Sequence, residues 1–384
     1  MGKQSNDDVA YWTTPPEVVA TWRTEGIAVE NYVTGSQQIV AADVLNLLGF
    51  CHVPRTAEQI AEHLGLTSQV SDELQGFIDE LNSAGLLTAS KDHNRGSLSG
   101  TAWEDWGPEA QYFHWTTKDA PYLESDETRE LYGDDLGALE QPALFKTYPE
   151  APTIHLPRLL DLGAAPYGDV VRHRRTYRRF TEDAVGLEPL SALLAWTFGP
   201  TRFIDAEVFG TLPFRAYANA GARSEVETYV NVSRVEGLEA GLYHYNQLEH
   251  GLEYLAESLT EEDLEYLSYH QPMVSKAPVV MFLSAKVQRL SHKYKHPRSL
   301  RAMYIDAGQV GQLFAMNSTA LGLGPTQTAA FRDTEIEHRI GIDGVNETAV
   351  YCLGLGVPST LDSAPTTLMA SRHTTLVESD NAQA

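Results

Sequence analysis

The sequence predicts a protein of mixed α and β structure preceded by a small winged-helix-like domain. Three observations carry this: helical periodicity with capping signals between about Ser36 and Ser90, short apolar runs rich in β-branched and aromatic residues after Arg158, and one long helix between two of those runs. At 384 residues the chain is long enough for two cores, and its 42% hydrophobic and 21% charged residues suit a folded globular enzyme.

In the first part, Ile39, Val40, Val44, Leu47 and Leu48 recur at helical spacing and predict one amphipathic helix. A second is expected from Thr56, where Thr-Ala-Glu-Gln forms a capping box, to a stop at Gly65. The third starts near Ser71, with Asp72 and Glu73 placed favourably against the helix dipole and Leu74, Phe77, Ile78 and Leu81 facing inward, and ends at Gly85. This pattern reads as a winged helix over residues 1–90. Its role stays open between stabilising the larger domain and docking a peptide. DNA binding is disfavoured, because residues 38–90 carry one basic side chain, Arg55, against seven acidic ones.

Residues 91–157, rich in Gly, Pro, aromatic and acidic residues, read as an irregular connecting and wrapping region. A catalytic domain is expected over 158–372 and a disordered tail over 373–384. Within the domain, the alternation in Val226–Val235 predicts a strand whose antiparallel partner holds Leu242, Tyr243 and Tyr245. Pro278–Ser284 and Thr348–Leu353 read as buried strands. The long helix spans about Ser299–Leu321, with Ala307, Gly308 and Gly311 permitting close approach of a neighbour.

The net charge of −24 repels phosphate backbones and anionic lipid surfaces, so neither nucleic acid nor membrane is an expected partner. Cys51 and Cys352 lie far apart and suggest neither a disulfide framework nor a zinc site. With no signal-like N-terminus and no long apolar span, a cytoplasmic location is expected.

Four stretches could carry chemistry. Arg172-His173-Arg174-Arg175-Thr176-Tyr177-Arg178-Arg179-Phe180 is the densest basic cluster, and guanidinium groups with a threonine hydroxyl suit a phosphate, although a solvated face fits the same run. Arg215–Tyr229 (RAYANAGARSEVETY) combines small residues with Gly221, which lets backbone approach a flat ligand or simply makes a turn. In Ser291-His292-Lys293-Tyr294-Lys295-His296, a lysine near other cations can lose basicity and act as a base, with the tyrosine relaying or orienting the proton; an exposed loop is the alternative. Leu321–Phe331 (LGLGPTQTAAF) is neither a Walker loop nor a GxGxxG fingerprint.

Taken in order, RRTYRRF, NAGARSEVETY with GLYHYN, HKYKHPRSLRAMYIDAGQ, and LGLGPTQTAAF with LGLGVP resemble the SagB-type azoline dehydrogenases, which are nitroreductase-like flavoproteins. The resemblance covers most of residues 155–360, and FHWTTK at Phe113–Lys118 and KTYPEAPTIHLP at Lys146–Pro157 are similar to the lead-in of that family.

This resemblance implies an α+β, nitroreductase-like FMN-binding fold and a homodimer with FMN at the subunit interface. By similarity, Arg174, Arg175, Thr176 and Arg178 would hold the phosphate and ribityl chain. Asn219, Ala220 and Gly221 would lie against the flavin, as would Ala329 and Ala330. Lys293 and Tyr294 match the family's catalytic pair. The chain departs from the family in reading Ala218-Asn219-Ala220-Gly221 for Pro-Ser-Ala-Gly and Ala329-Ala330-Phe331 for Gly-Gly-Phe. The implied reaction converts a thiazoline or oxazoline in a ribosomal peptide to a thiazole or oxazole, with oxygen as electron acceptor, no metal, and a possible cyclodehydratase complex. Competing expectations are an NAD(P)H-dependent nitro or quinone reductase, a non-catalytic leader-peptide-binding scaffold, and oxidation at another peptide site.

Overall fold

The computed structural model describes residues 10–66, 70–89, 98–120, 141–158, 160–206 and 210–359. They fall into two compact units, one within Met1–Pro121 and one within Tyr122–Ala384. The tail expected over 373–384 lies outside the described residues, as do parts of the region read as connecting.

The first unit runs β1 (Tyr11–Thr13), β2 (Val18–Arg23), β3 (Gly26–Asn31), β4 (Ser36–Val40), α1 (Ala42–Phe50), β5 (Arg55–Thr56), α2 (Ala57–His63), α3 (Asp72–Ser83), β6 (Thr88–Ala89) and α4 (Gly107–Thr116). Thr56 completes its capping box with Gln59, and the Ser71 hydroxyl accepts the Leu74 N–H at 3.1 Å, so both helices start where polar caps satisfy free donors. Trp12, Leu47, Ile60, Ile78 and Leu86 share one core. Two expectations are corrected. Ile39 and Val40 belong to β4, where Ile39 faces Ala28, so α1 begins only at Ala42: β-branched neighbours beside an available strand favour pairing over helix. The stretch read as irregular contains α4, which has a proline in its first turn and places Tyr112 to donate to Glu30 at 2.6 Å.

The second unit runs β7 (Thr153–His155), α5 (Tyr167–His173), α6 (Leu187–Phe198), β8 (Arg202–Asp205), β9 (Thr211–Phe214), a 3-10 turn (Ala220–Ala222), β10 (Val226–Val232), β11 (Gly241–Asn246), β12 (Gly251–Ala256), α7 (Glu261–Leu267), α8 (Pro272–Ser275), β13 (Val279–Lys286), α9 (Val287–Ser291), α10 (Ser299–Ala320), β14 (Gly324–Thr328), α11 (Asp333–Ile340) and β15 (Glu347–Gly356). Seven strands form one antiparallel sheet in the order β14-β15-β13-β10-β11-β12-β7.

Alternation along the strands loads both faces. Val226, Val230, Met281 and Leu353 pack with Leu193 and Phe198 of α6 and Val310 and Phe314 of α10. Tyr229, Val280, Phe282 and Cys352 pack with Leu264 of α7, Val274 of α8 and Ile336 of α11. Truncating a buried phenylalanine such as Phe314 costs about 3–5 kcal/mol in such a core. At Gly311 α10 lies tight against the sheet, because a side chain there would run into the Tyr351 ring and Gln327 Oε1. Gly308, expected to share that role, faces open space and does not.

The second face also buries charge. Glu227 meets Arg289 at 2.5 Å and His244 at 3.2 Å, and His244 meets Glu253 at 2.8 Å. Lys146 joins Tyr229 at 2.5 Å and Glu347 at 2.8 Å, which ties the segment before β7 to the sheet.

Candidate functional site

β10 and β13 pair with Val226 opposite Ala285 and Glu227 opposite Ser284, so the residues before β10 and those after β13 emerge at one end of the sheet. The former are the Ala220–Ala222 turn; the latter are α9 and the turn after it. Gly221 has φ +60, a left-handed conformation that favours glycine. A side chain on Gly221 would overlap the Tyr294 hydroxyl and come within 3.4 Å of Lys293 Nζ. The pair expected to be catalytic thus lies directly against the turn expected to face a flat ligand.

Local hydrogen bonding sets the pair. Lys293 and Tyr294 both donate backbone N–H groups to the Leu290 carbonyl, at 3.1 and 2.8 Å, and Leu290 is buried in the core. Arg289 is the anchor beneath them. Its Nη2 meets Glu227 Oε1 at 2.5 Å, its Nη1 donates to the Ser224 carbonyl at 3.2 Å, and its Nε donates to the Ala143 carbonyl at 2.8 Å. The turn is held from the other side, since Ala220 N–H donates to Asp306 Oδ2 of α10 at 2.8 Å.

Electrostatics favour proton transfer here. Burial and the neighbouring Arg223 guanidinium lower the pKa of Lys293 below the ordinary lysine range, which increases the share of free amine near neutral pH. Burial and the cations Arg223 and Lys295 likewise hold His292 low. Glu225 is fully buried, and neither carboxyl oxygen has a hydrogen-bond partner among the described residues. Burial, with Asp306 nearby, pushes Glu225 up to about 8, and burial also raises Asp306 against the bond from Ala220.

The basic stretch lies elsewhere in the same chain. Arg174 follows α5; Arg174, Arg175 and Thr176 are half-buried and Arg178 is exposed. Tyr177 N–H donates to the Pro325 carbonyl and Thr181 N–H to the Val357 carbonyl, each at 2.9 Å, and the Tyr177 ring covers Gly324. Pro325 faces Leu355, which faces Val279 at the start of β13, whereas Lys293 follows the end of that strand. Seven residue steps along β13 separate the two levels by about 23 Å. Ala329 and Ala330 are exposed on the turn leaving edge strand β14, where the Ala330 carbonyl accepts from Gln271 at 2.7 Å.

Three residues of this site went unread in the sequence: Arg223, Asp306 and Arg289. Arg223 and Asp306 sit inside quoted motifs, but only the fold turns them toward Lys293 and Ala220; Arg289 looks like one more basic residue until the fold buries it against Glu227 of β10.

Comparison with known proteins fits this architecture. Residues 171–357 match the family model described as the nitroreductase family. A Methanocaldococcus jannaschii protein named as a nitroreductase is 30% identical over 185 residues, covering 48% of this chain and 89% of that protein. Two proteins of Rhizobium leguminosarum bv. trifolii are also similar. The trifolitoxin-processing protein TfxB is 26% identical over 43% of this chain and 46% of its own length, and the trifolitoxin operon protein TfxC is 23% identical over 79% of this chain and 90% of its own. This chain is a flavoprotein oxidoreductase of α+β fold. It belongs to the nitroreductase family. Among the described residues no helix is long and apolar enough to cross a membrane.

Proposed function

We propose that the protein oxidises thiazoline or oxazoline rings of a ribosomally synthesised peptide to thiazoles or oxazoles. The observation that carries this is the placement of Lys293 and Tyr294 against Gly221, with Lys293 lowered in basicity by burial and Arg223. Similarity to a trifolitoxin-processing protein supports a peptide substrate.

The residues fit FMN. Asn219 Nδ2 and Arg175 Nε are buried without a hydrogen-bond partner among the described residues, as expected of donors reserved for a ligand. Arg174, Arg175, Thr176 and Arg178 are assigned to the phosphate and ribityl chain, and Asn219, Ala220, Gly221, Ala329 and Ala330 to the flavin. When bound, FMN supplies the two-electron acceptor, and molecular oxygen is the terminal acceptor. Lys293 takes the ring proton as free amine, and Tyr294 orients that proton against Nζ. Aromatisation of the ring supplies the driving force, so positioning is the main task left to the protein. A homodimer is part of this reading: the distance between basic stretch and turn within one chain supports a cofactor site completed by a second copy. Helices α1, α2 and α3 with the small β5-β1-β6 sheet support the assignment of this part of the first unit as a winged helix, and a complex with a cyclodehydratase suits a peptide-modifying role.

The test is the visible spectrum of the purified protein without oxygen. Bleaching of the oxidised flavin band by a thiazoline peptide, reversed by air, is the expected result. Bleaching by NADPH alone would overturn it in favour of a nicotinamide-dependent nitro or quinone reductase, a second reading favoured by the 30% identity to the M. jannaschii protein.

A further inference from the structure

Beside Lys293 the chain forms an open cleft of about 460 Å³ that the proposed chemistry does not use. Its wall is built from two places: Gln141, Pro142 and Ala143 on one side, and Gln288, Ser291, His292 and Lys295 of α9 and its following turn on the other. The two sides are fixed to each other, because Arg289 Nε donates to the Ala143 carbonyl at 2.8 Å and Arg223 donates to Gln141 Oε1 at 3.4 Å.

The chemistry of this wall is one-sided. The chain has 52 acidic residues, yet the described side chains that line the cleft are, beside Pro142 and Ala143, two amides, a hydroxyl, an imidazole and an ammonium, with no carboxylate among them. His292 is only 7% exposed, and its Nε2 is buried without a hydrogen-bond partner among the described residues. A buried imidazole nitrogen left unmatched costs free energy, and such atoms are normally paired by protein, water or ligand. The positive charge of Lys295 and Arg223 acts on the same imidazole.

Resting on the peptide-oxidase reading above, we propose that this cleft is a subsite for a carboxylate of the peptide substrate, seated on His292 and Lys295 and holding the neighbouring ring beside Lys293. The carboxylate can come from an aspartate or glutamate close to the ring or from a free C-terminus. Either would meet the same donors, and binding energy at this point orients the reacting ring without touching it.

The test uses the FMN-loaded, full-length protein and three synthetic thiazoline peptides that differ only beside the ring: one with glutamate, one with glutamine, and one with glutamine and the ring near a free C-terminal carboxylate. For the wild type, the glutamate or C-terminal peptide should have a KM ~10-fold below that of the glutamine peptide, the scale of one charge-assisted hydrogen bond, with a much smaller difference in kcat. The preferred peptide identifies the source. In Lys295→Met and His292→Gln the preference should fall toward one, and as a ratio within each variant it does not depend on how much activity survives. Equal KM values in the wild type, or a preference that persists in Lys295→Met, would overturn the subsite.

A second measurement separates this failure from failure of the peptide-oxidase reading. The imidazole resonances of His292 are followed by NMR while N-acetylglutamate amide, N-acetylglutamine amide or inorganic phosphate is added. A shift with the glutamate probe but not the glutamine probe supports the carboxylate site, whatever substrate is oxidised. A shift with phosphate alone, or with none of the three, overturns it.

Discussion

Gly221 and Tyr294 exclude any residue larger than glycine between them: the tyrosine hydroxyl occupies the space a Cβ at position 221 would take, and the left-handed turn that allows this has φ +60. Gly221→Ala should therefore act twice, straining the turn by about 1–2 kcal/mol and displacing Tyr294 and Lys293. We expect a folded protein that retains flavin but loses ~100-fold in kcat/KM, a loss typical of misplaced catalytic groups. Steady-state kinetics beside the flavin spectrum would check this, and unchanged turnover would remove the turn from the site.

Lys293 must be deprotonated to accept a proton, so the rate should rise with pH and level off below the ordinary lysine pKa, because burial and Arg223 disfavour the ammonium form. Removing the cation with Arg223→Met favours the ammonium form and should move the rise to higher pH. A kcat–pH profile of both proteins measures this. Lys293→Ala should lower kcat by ~100-fold or more while flavin is retained.

Glu225 titrates higher in the folded chain, at about 8, than in the unfolded one. A carboxyl whose folded pKa is raised contributes stability that is fully present below the unfolded value and is lost as pH rises through about 8. Wild-type protein should thus lose stability relative to Glu225→Gln across that window, at up to about 1.4 kcal/mol per pH unit. Thermal melts of the two proteins from pH 5 to pH 9 would reveal parallel curves if the carboxyl carries no such linkage.

Arg289 and Glu227 form an ion pair with side chains only 3% and 1% exposed. Arg289, with His244, outweighs burial and lowers Glu227 to about 2. This depressed pKa contributes stability above the unfolded value that is lost as pH falls toward about 2. Arg289→Met leaves a buried carboxylate without its main partner and should cost roughly 3–5 kcal/mol, whereas the Arg289→Met, Glu227→Gln pair should recover part of that loss. Chemical denaturation checks the energies. Kinetics of the double variant should still show impaired turnover, because Arg289 also sets the turn bearing Lys293.

Much of the architecture was legible locally. Thr56 and Ser71 announce two helix starts because capping is a contact between residues three apart, and the Ser299–Ala320 helix and the β10, β11, β13 and β15 runs announce themselves through periodicity. β4 was hidden because Ile39 and Val40 suit a helix face as well as a strand; pairing with β3, which periodicity does not encode, decided between them. β14 was hidden for a related reason, since GPTQT carries little alternation and becomes a strand by pairing with β15.

The sequence by itself determined which chemical groups are available: an arginine-rich stretch, a small-residue turn, and a lysine–tyrosine pair among cations, in an order that resembles one enzyme family. Only the tertiary structure decided which of them meet. Antiparallel register between β10 and β13 brings Gly221 to Lys293 and Tyr294, while the pairing of β14 with β15 carries Tyr177 and its neighbouring arginines to the opposite end of the sheet. The physical reason is that register and burial are properties of pairs of distant segments. They determine where a side chain lies and how far its pKa moves, and neither can be read from one segment alone.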